Sequence, residues 1–266
     1  MPAIIEVHDL VKRYGDYPAV NQVSLEVAEG SVFGLLGPNG AGKSTIIKML
    51  TTLLPPTSGR AVIAGFDVTR QPMEVRRRIG YVPQALSADG TLTGYENLIV
   101  FAKLYDLPRT IREPVVREAL ALMGLEDAAN KLVRTYSGGM IRRLEVAQAM
   151  LHRPQVLFLD EPTVGLDPVA RNAVWEYLKT LRTERQVTVF LTTHYMEEAD
   201  HLCEHICIMH LGNIVAQGTP AELKAAVGGP ETTLDAVFTH FTGNSLESGG
   251  SYRETARARR TARRLG

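Results

Sequence analysis

The sequence is poor in several features, and each absence limits what the protein can be. Only two cysteines occur among 266 residues, which excludes a disulfide framework and is typical of a reducing compartment. Lysine plus arginine and aspartate plus glutamate each number 29, so overall charge gives no support to nucleic-acid binding. No run approaches the roughly 20 apolar residues that span a bilayer. The N-terminal segment "MPAIIEVHDLVKRYG" also lacks the pattern of a secretory signal, so any membrane role is expected to need a partner chain.

The composition is typical of a globular domain with a large core. Hydrophobic residues make up 45% and charged residues 22% of the chain, and its length suits one large domain or a domain with a subdomain. Apolar segments such as "VFGLL", "VLFLD" and "VTVFLTT" alternate with helical patterns. This alternation predicts a mainly parallel sheet covered by helices on both faces. The helix in "KSTIIKMLTTLL" is expected to end at Pro55 and Pro56.

Two regions depart from this alternation. From Met73 to about Leu125, helical patterns follow one another with short breaks, which predicts a helical insert inside the α/β domain. After Gly243 the chain holds six arginines, two glutamates and almost no large apolar residues, which predicts a mobile and locally basic tail. Such a tail can bind anionic lipid, although a solvated tail is the simpler interpretation.

A glycine-rich segment, "GPNGAGKS", fits the pattern G-x-x-x-x-G-K-[ST] and lies between a predicted strand and a predicted helix. Glycines let the backbone turn its N–H groups toward an anion, and the helix that follows adds the positive end of its dipole. Lys43 can reach the β- and γ-phosphates, Ser44 can offer an oxygen to Mg²⁺, and Thr45 lies near the α-phosphate. The residues predicted to hold a nucleoside triphosphate are Gly37, Pro38, Asn39, Gly40, Ala41, Gly42, Lys43, Ser44 and Thr45.

Two acids, Asp160 and Glu161, follow the four apolar residues "VLFL" and supply what hydrolysis requires. Asp160 is predicted to hold Mg²⁺ through the water shell of the ion. Glu161, the next residue, points to another side of the strand and is predicted to orient or deprotonate an attacking water.

Three further positions are open to two interpretations on pattern alone. His194 follows the strand "VTVFLTT" and can contact the γ-phosphate, although a histidine there is more often structural. Gln84 in "GYVPQ" can touch both Mg²⁺ and the attacking water, but most glutamines are surface residues. Tyr14 can stack on the nucleotide base or pack against its neighbours, and Tyr17 is the alternative stacking residue.

The segment "YSGGM" lies before the helix "IRRLEVAQAMLHRP" and predicts a second anion site. Ser137 is placed as the N-cap, and Gly138 and Gly139 expose backbone N–H groups at the start of the helix. A triphosphate in the first loop has no use for this site within one chain. The segment resembles the serine-glycine-glycine motif of ABC transporter ATPase subunits, which closes over ATP held by the opposite subunit.

The resemblance covers roughly residues 3 to 225. Within that range, every motif occurs in the order that is typical of the family. The elements are Tyr14, the loop Gly37 to Thr45, Gln84, Ser137 to Gly139, Asp160, Glu161, Asp167 in "VGLDP" and His194. The sequence departs from the commonest pattern at Tyr136, which replaces leucine, and at Met140, which replaces glutamine. "GYENLIVFAKLYDLPR" and "ETTLDAVFTHFTG" resemble the drug-exporter branch of the daunorubicin-resistance type.

The resemblance implies a specific architecture. It implies a P-loop NTPase fold of the ABC ATPase type, with a mainly parallel core sheet, an N-terminal antiparallel β subdomain and an inserted helical subdomain. The ATPase domain is expected over residues 1–225, with the helical subdomain at about 85–137. Residues 226–243 are then a short C-terminal extension, and 244–266 are the basic tail.

The resemblance also implies an ATPase that works as a homodimer with a separate membrane permease, at the cytoplasmic face of the membrane. Two chains would enclose two ATP molecules and Mg²⁺, with Ser137, Gly138, Gly139, Met140 and Asp167 contacting the ATP of the partner. Glu161, His194 and Gln84 would serve hydrolysis, and Ser44, Gln84 and Asp160 the metal. Export of a drug-like or hydrophobic compound is the expected function.

Two other functions remain as alternatives. A related ATPase acting on nucleic acid or ribosomes typically carries two cassettes or a coiled-coil insert, and this chain shows no sustained heptads. A GTPase or small-molecule kinase would leave "YSGGM" without a role, and Val133 stands where a guanine-reading aspartate is needed. The run "DHLCEHICIMH" suggests zinc, because alternation would put Cys203, His205 and Cys207 on one face of a strand. The run straddles an apparent change from helix to strand, however, so packing is favoured. No stable zinc site and no nucleic-acid partner are expected.

Overall fold

A computed structural model of the protein covers residues 2–229 and 231–243. The predicted basic tail, residues 244–266, lies outside the described residues. The strands are β1 (Ala3–Tyr14), β2 (Tyr17–Ala28), β3 (Val32–Leu36), β4 (Ser58–Ile63), β5 (Phe66–Asp67), β6 (Ile79–Val82), β7 (Val156–Asp160), β8 (Thr188–Thr193), β9 (His205–His210) and β10 (Asn213–Gly218). The helices are α1 (Lys43–Leu50), α2 (Pro72–Arg76), α3 (Gly94–Leu104), α4 (Arg109–Leu122), α5 (Gly138–Met150), α6 (Pro168–Arg185), α7 (Met196–Leu202), α8 (Pro220–Val227) and α9 (Leu234–Thr242).

The core sheet has six strands in the order β10-β9-β3-β8-β7-β6, and only β10 at its edge pairs antiparallel. Every residue of β3, β7 and β8 is buried. Parallel strands covered on both faces are apolar throughout, which is why these segments show no alternation in the sequence. The predicted parallel core is confirmed.

A second sheet is antiparallel, with the order β2-β1-β4-β5. Along β2, residues 23–27 alternate between buried and exposed side chains, as expected for a strand with one face on the core. Apolar side chains from this sheet pack with α1 and with β3, and the cluster includes Ile5, Ile47 and Phe33. The expected antiparallel N-terminal sheet is therefore present, and it covers one side of the phosphate loop.

The helical insert lies between β6 and α5. It therefore begins after residue 82 and not at Met73 as predicted, because residues 79–82 form an edge strand of the core sheet. A capping box starts α3, because Thr93 accepts from the N–H of Glu96 and the Glu96 side chain accepts from the N–H of Thr93 in return. Leu98, Val116 and Leu144 from three helices share one buried cluster with β7 and α6. Packing of this kind joins the insert to the core sheet through α5.

Two chain segments differ from the sequence expectation or extend it. The first helix ends at Leu50 rather than at the prolines, because Thr52 adopts a positive φ of 62° and the Thr51 side chain donates to the carbonyl oxygen of Ile47. Residues 226–243 form the end of α8 and all of α9, which contacts α7, α8 and β10. Within residues 2–229 and 231–243, no helix has the length and apolar character that crossing a bilayer requires.

Candidate active site

Four strands of the core sheet end beside one another, and each is followed by a predicted site residue. The order β3, β8, β7, β6 brings the glycine-rich loop, His194, the pair Asp160–Glu161 and Gln84 to one edge. Parallel strands present their carboxyl ends to the same edge, which is where sheets of this kind bind ligands. The structure therefore brings these four segments together from positions spread over about 150 residues.

The loop between β3 and α1 turns sharply at its glycines. Gly40 and Gly42 adopt φ angles of 87° and 108°, and a Cβ atom on Gly42 would lie 2.4 Å from the carbonyl oxygen of Ala19. No L side chain fits there without strain. Because α1 starts at Lys43, the N–H groups of its first turn have no acceptor within the helix. They and the positive end of the helix dipole can therefore bind an anion.

The Lys43 side chain is almost fully buried and carries the positive charge of the loop. Its Nζ donates to the carbonyl oxygens of Gly37 at 2.7 Å and Pro38 at 3.3 Å, and pairs with Glu161 Oε1 at 3.0 Å. The ammonium group therefore lies between its own loop and the end of β7. The other predicted loop residues lie in the same loop or in the first turn of α1: Asn39, Ala41, Ser44 and Thr45.

Asp160 lies at the end of β7 among oxygen atoms. Its Oδ1 accepts from Ser44 Oγ at 3.1 Å and from Thr192 Oγ1 at 2.6 Å. Carboxylate and hydroxyl oxygens are the donors that Mg²⁺ takes in proteins, usually together with water. The residues present at this position therefore fit the magnesium ion that the sequence predicts.

Glu161 is held by charges and by a strained backbone. It adopts a φ of 51°, which is uncommon for a residue other than glycine and costs about 1–3 kcal/mol. Its N–H donates to both the carbonyl and the hydroxyl oxygen of Thr192, each at 3.1 Å. Its second carboxylate oxygen, Oε2, lies 2.7 Å from His194 Nδ1. Glu161, Lys43 and His194 therefore form one contiguous group of titratable side chains.

The charges around Glu161 determine its protonation. Burial alone raises the pKa of a carboxyl group, but the hydrogen bond to His194 and the positive charge of Lys43 outweigh burial and hold the pKa of Glu161 below its ordinary value. The carboxylate is therefore ionised near neutral pH, as a group that accepts a proton from water must be.

Gln84 lies just after β6 with an exposed side chain, and its backbone is held by a buried ion pair. Arg142 on α5 donates to the carbonyl oxygens of Pro83 at 2.8 Å and Gln84 at 2.9 Å, and pairs with Glu145 at 3.0 Å. Glu145 in turn accepts from the backbone N–H and the hydroxyl group of Ser87. Residues 83–87 are thus attached to α5.

The sequence pattern did not indicate this ion pair. Arg142 and Glu145 are both about 2% exposed and lie three positions apart in "IRRLEVAQAM". Opposite charges at this spacing are usually a solvated helix surface. The apolar residues around them were the available signal that the helix is buried on this side.

The motif "YSGGM" lies at the start of α5, beside the start of α6. Ser137 caps α5 by accepting from the N–H of Met140 at 3.2 Å, and Asp167 caps α6 by accepting from the N–H of Ala170 at 2.9 Å. A Cβ atom on Gly139 would lie 2.8 Å from the Ala170 side chain, so glycine lets the two helix starts approach. Ser137, Gly138 and Asp167 are exposed. Two helix N-termini thus face solvent side by side, and both attract anions.

Tyr136, which replaces the usual leucine before this motif, is buried. Its hydroxyl group donates to the carbonyl oxygen of Ala128 at 2.7 Å. The larger residue is accommodated because its polar end has a partner inside the helical insert.

Tyr14 and Tyr17 lie opposite each other at the end of the β1–β2 hairpin. Their side chains are 53% and 57% exposed, so neither is used in the core. The Lys12 ammonium group lies 5.6 Å from the centre of the Tyr14 ring, so Tyr14 contacts a neighbouring side chain while much of its ring stays exposed. Stacking of Tyr14 on a nucleotide base therefore stays a prediction.

The cysteines that suggested zinc lie in different elements. Cys203 follows the end of α7, whereas Cys207 lies within β9 and its thiol is 3.5 Å from Gln217 Oε1. Burial raises the pKa of Cys207 to about 12. Over the described ranges, no three histidine, cysteine, aspartate or glutamate side chains form a group that could hold a metal.

Comparisons with known proteins show which proteins this chain resembles. A family model described as "ABC transporter" matches residues 20–164. The daunorubicin/doxorubicin resistance ATP-binding protein DrrA of Streptomyces peucetius is 46% identical over 224 residues, which are 84% of this chain and 68% of that protein. The Nod factor export ATP-binding protein I of Cupriavidus metallidurans is 43% identical over 223 residues, 84% of this chain and 73% of that protein.

The fold is shared with structures that contain bound nucleotide. The dimeric ATP-binding cassette MJ0796, in a post-hydrolysis state with ADP and Pi, has a TM-score of 0.72 and 26% identity, and the match covers 81% of this chain and 98% of that chain. The match covers nearly the whole of that cassette.

Proposed function

Because the chain belongs to the ABC transporter family of ATP-hydrolysing subunits, we propose that it powers export of a drug-like or hydrophobic compound through a separate membrane permease. The convergence of Lys43, Ser44, Asp160, Glu161 and His194 at the ends of adjacent parallel strands carries the ATPase part of this proposal. The export part is supported by the functions of two relatives, which are drug resistance and Nod factor export.

Each group at the strand ends has a distinct role. The first-turn N–H groups of α1 and Lys43 bind the phosphates, and phosphate oxygens compete with Glu161 for the ammonium group of Lys43. Glu161 is then free to accept a proton from the attacking water, and His194 orients Glu161 through the contact at Nδ1. Ser44 and Asp160, with Gln84, would hold Mg²⁺, which supplies charge neutralisation on the phosphates when bound. Tyr14 would stack on the base.

The exposed helix starts at Ser137 and Asp167 support a homodimer. In each chain, Ser137, Asp167, Gly138, Gly139 and Met140 would contact the ATP that the other chain binds. ATP favours the closed pair because it contacts both chains only there. We further propose that the ATPase domain spans residues 1–225, with the helical subdomain at about 85–137 facing the permease at the cytoplasmic face of the membrane.

The composite site is tested with Ser137→Arg. A large cation at this helix start would block the approach of a second chain, while the phosphate loop is untouched. The variant should fold, bind a fluorescent ATP analogue with wild-type affinity and show no ATP-dependent dimer in light scattering. An ordinary dimer with normal turnover would rule out the composite site.

The export role is tested in membrane vesicles. The neighbouring reading frame should encode a membrane protein with roughly six spans, and co-expression should hold this chain on inside-out vesicles. Those vesicles should take up labelled daunorubicin with ATP but not when the chain carries Glu161→Gln. Uptake that is the same with the two forms would refute the proposal.

A further inference from the structure

A fully buried acid behind the catalytic loops has no role in the chemistry proposed for the strand ends. Glu198 on α7 is 0% exposed. Its Oε1 accepts from Thr163 Oγ1 at 2.8 Å and from Trp175 Nε1 at 3.1 Å. Among the described residues, its other oxygen, Oε2, has no hydrogen-bond partner. A buried carboxyl group with an unpaired oxygen is costly, and a residue that only filled space would not need to be an acid.

The two donors to Glu198 come from different parts of the site. Thr163 lies two residues after Glu161, and Trp175 lies on α6, the helix that Asp167 caps. Glu198 itself lies four residues after His194, on the helix that follows it. One carboxyl oxygen therefore contacts the loop after β7 and α6, and links both to the segment that carries His194.

The surroundings of Glu198 favour its neutral form. Burial raises its pKa, and the polar groups of Thr193, Thr163 and Trp175 and the charge of Arg171 offset burial only in part. In either protonation state Oε1 can accept from both donors.

The position of Glu161 requires such support. Its left-handed backbone is fixed on one side by the two bonds from its N–H to Thr192. After Glu161 in the chain, the first side chain that bonds to another element is Thr163, which donates to Glu198. A strained residue keeps its conformation only where its neighbours are fixed.

We infer that Glu198 is a positioning residue that holds the Glu161 loop and the His194 segment against α6, so that both move together with the helix that begins at Asp167. This inference rests on the proposed roles of Glu161, His194 and Asp167. It goes beyond them because it assigns a physical connection between the hydrolysis residues and the face proposed to meet the partner chain.

The chain offers a direct probe, because Trp175 is its only tryptophan. Fluorescence of the purified full chain is compared among wild type, Glu198→Leu, Glu198→Gln and the matched control Glu197→Gln. Glu197 is the acid next to Glu198, but its side chain is exposed and lies 3.8 Å from Arg171. Emission is recorded without nucleotide and with Mg-ATP. Turnover and affinity for a fluorescent ATP analogue are measured on the same samples.

Without nucleotide, Glu198→Leu should shift the Trp175 emission, because the indole N–H loses its acceptor, whereas Glu197→Gln should not. With Mg-ATP, Glu198→Leu should not show the emission change that the wild type shows. Its kcat should fall at least tenfold, while its affinity for ATP stays unchanged. Glu198→Gln should keep kcat within threefold, since its amide oxygen still accepts both bonds.

Retention of kcat and of the ATP-induced emission change in Glu198→Leu would overturn the inference, as would equal loss in Glu198→Gln. If Glu198→Leu does not fold, Thr163→Val serves instead: lowered kcat at unchanged ATP affinity supports the inference, and wild-type kcat overturns it. Should the wild type hydrolyse no ATP, the proposed function fails, while the emission comparison without nucleotide still decides whether Glu198 holds α6.

Discussion

The strand-end pocket and the exposed face at the starts of α5 and α6 are both proposed to bind anions, but they are built differently. At the strand ends, Lys43, Asp160 and Glu161 are each no more than 4% exposed and pair with one another or with hydroxyl groups. At the helix starts, Ser137 and Asp167 are exposed, and among residues 2–229 and 231–243 their side chains bond only within their own first turns.

This difference distinguishes a binding site that one chain forms by itself from a site that needs a second chain. The pocket is pre-organised, because its charges are already fixed by the fold and need little rearrangement during the reaction. The exposed face presents N–H groups at two helix starts, so it gains a strong interaction only when an anion is brought to it. The first region is expected to control chemistry, and the second the coupling between two chains.

Glu161→Gln should have the largest effect and acts on the pocket alone. The carboxamide cannot accept the proton, so turnover should fall by about 10²–10⁴-fold, while phosphate contacts through Lys43 remain. ATP binding should persist and the ATP-bound dimer should accumulate, as measured by phosphate release and light scattering. Rapid turnover would show that another group is the base.

Lys43→Ala should affect binding before chemistry. Loss of a charge-assisted bond to phosphate costs about 1.5–3 kcal/mol, which is roughly ten- to a hundredfold in ATP affinity. The substitution also leaves Glu161 without its cation. Titration with a fluorescent ATP analogue measures the effect, and unchanged affinity would contradict the role assigned to the loop.

Arg142→Met tests the connection between the two regions, since α5 carries Ser137 at its start and holds Gln84 through Arg142. The unpaired charge on Glu145 should lower the free energy of unfolding by about 3–5 kcal/mol. The double variant with Glu145→Met should recover most of that stability but keep kcat roughly tenfold low, because Gln84 stays unattached. Recovery of kcat together with stability would reduce the pair to a structural role.

Tyr14→Ala should have the smallest effect. Its exposed ring would contribute about 0.5–1.5 kcal/mol of stacking, or roughly two- to tenfold in ATP affinity, with kcat unchanged. The matched variant Tyr17→Ala should leave affinity at the wild-type value. The reverse result would move the stacking role from Tyr14 to Tyr17.

Local patterns were enough to predict the main architecture. Almost wholly apolar strands such as "VLFLD" predicted the parallel sheet, and the fold class and family membership are confirmed. The order of strands then explains why Gln84, Asp160 and His194 meet, because residues at the carboxyl ends of adjacent parallel strands must be neighbours.

Tertiary contacts between distant residues could not be predicted in this way. The ion pair of Lys43 with Glu161 joins positions more than 100 residues apart. The acids of "MEEAD" look like a solvated run, and only the packing of α7 shows that Glu198 is buried while Glu197 is exposed. The early end of α1 depends on the backbone of Thr52, which no propensity specifies.

The most direct test of the central claim, that each catalytic unit takes its phosphate loop from one chain and its helix start from another, is to mix two impaired variants. Lys43→Ala disables the loop, and Ser137→Ala weakens the helix start without adding bulk. A mixed dimer contains one site with both parts intact, so ATPase activity of an equimolar mixture should exceed the sum of the separate activities. Activity equal to that sum at every protein concentration would contradict the claim.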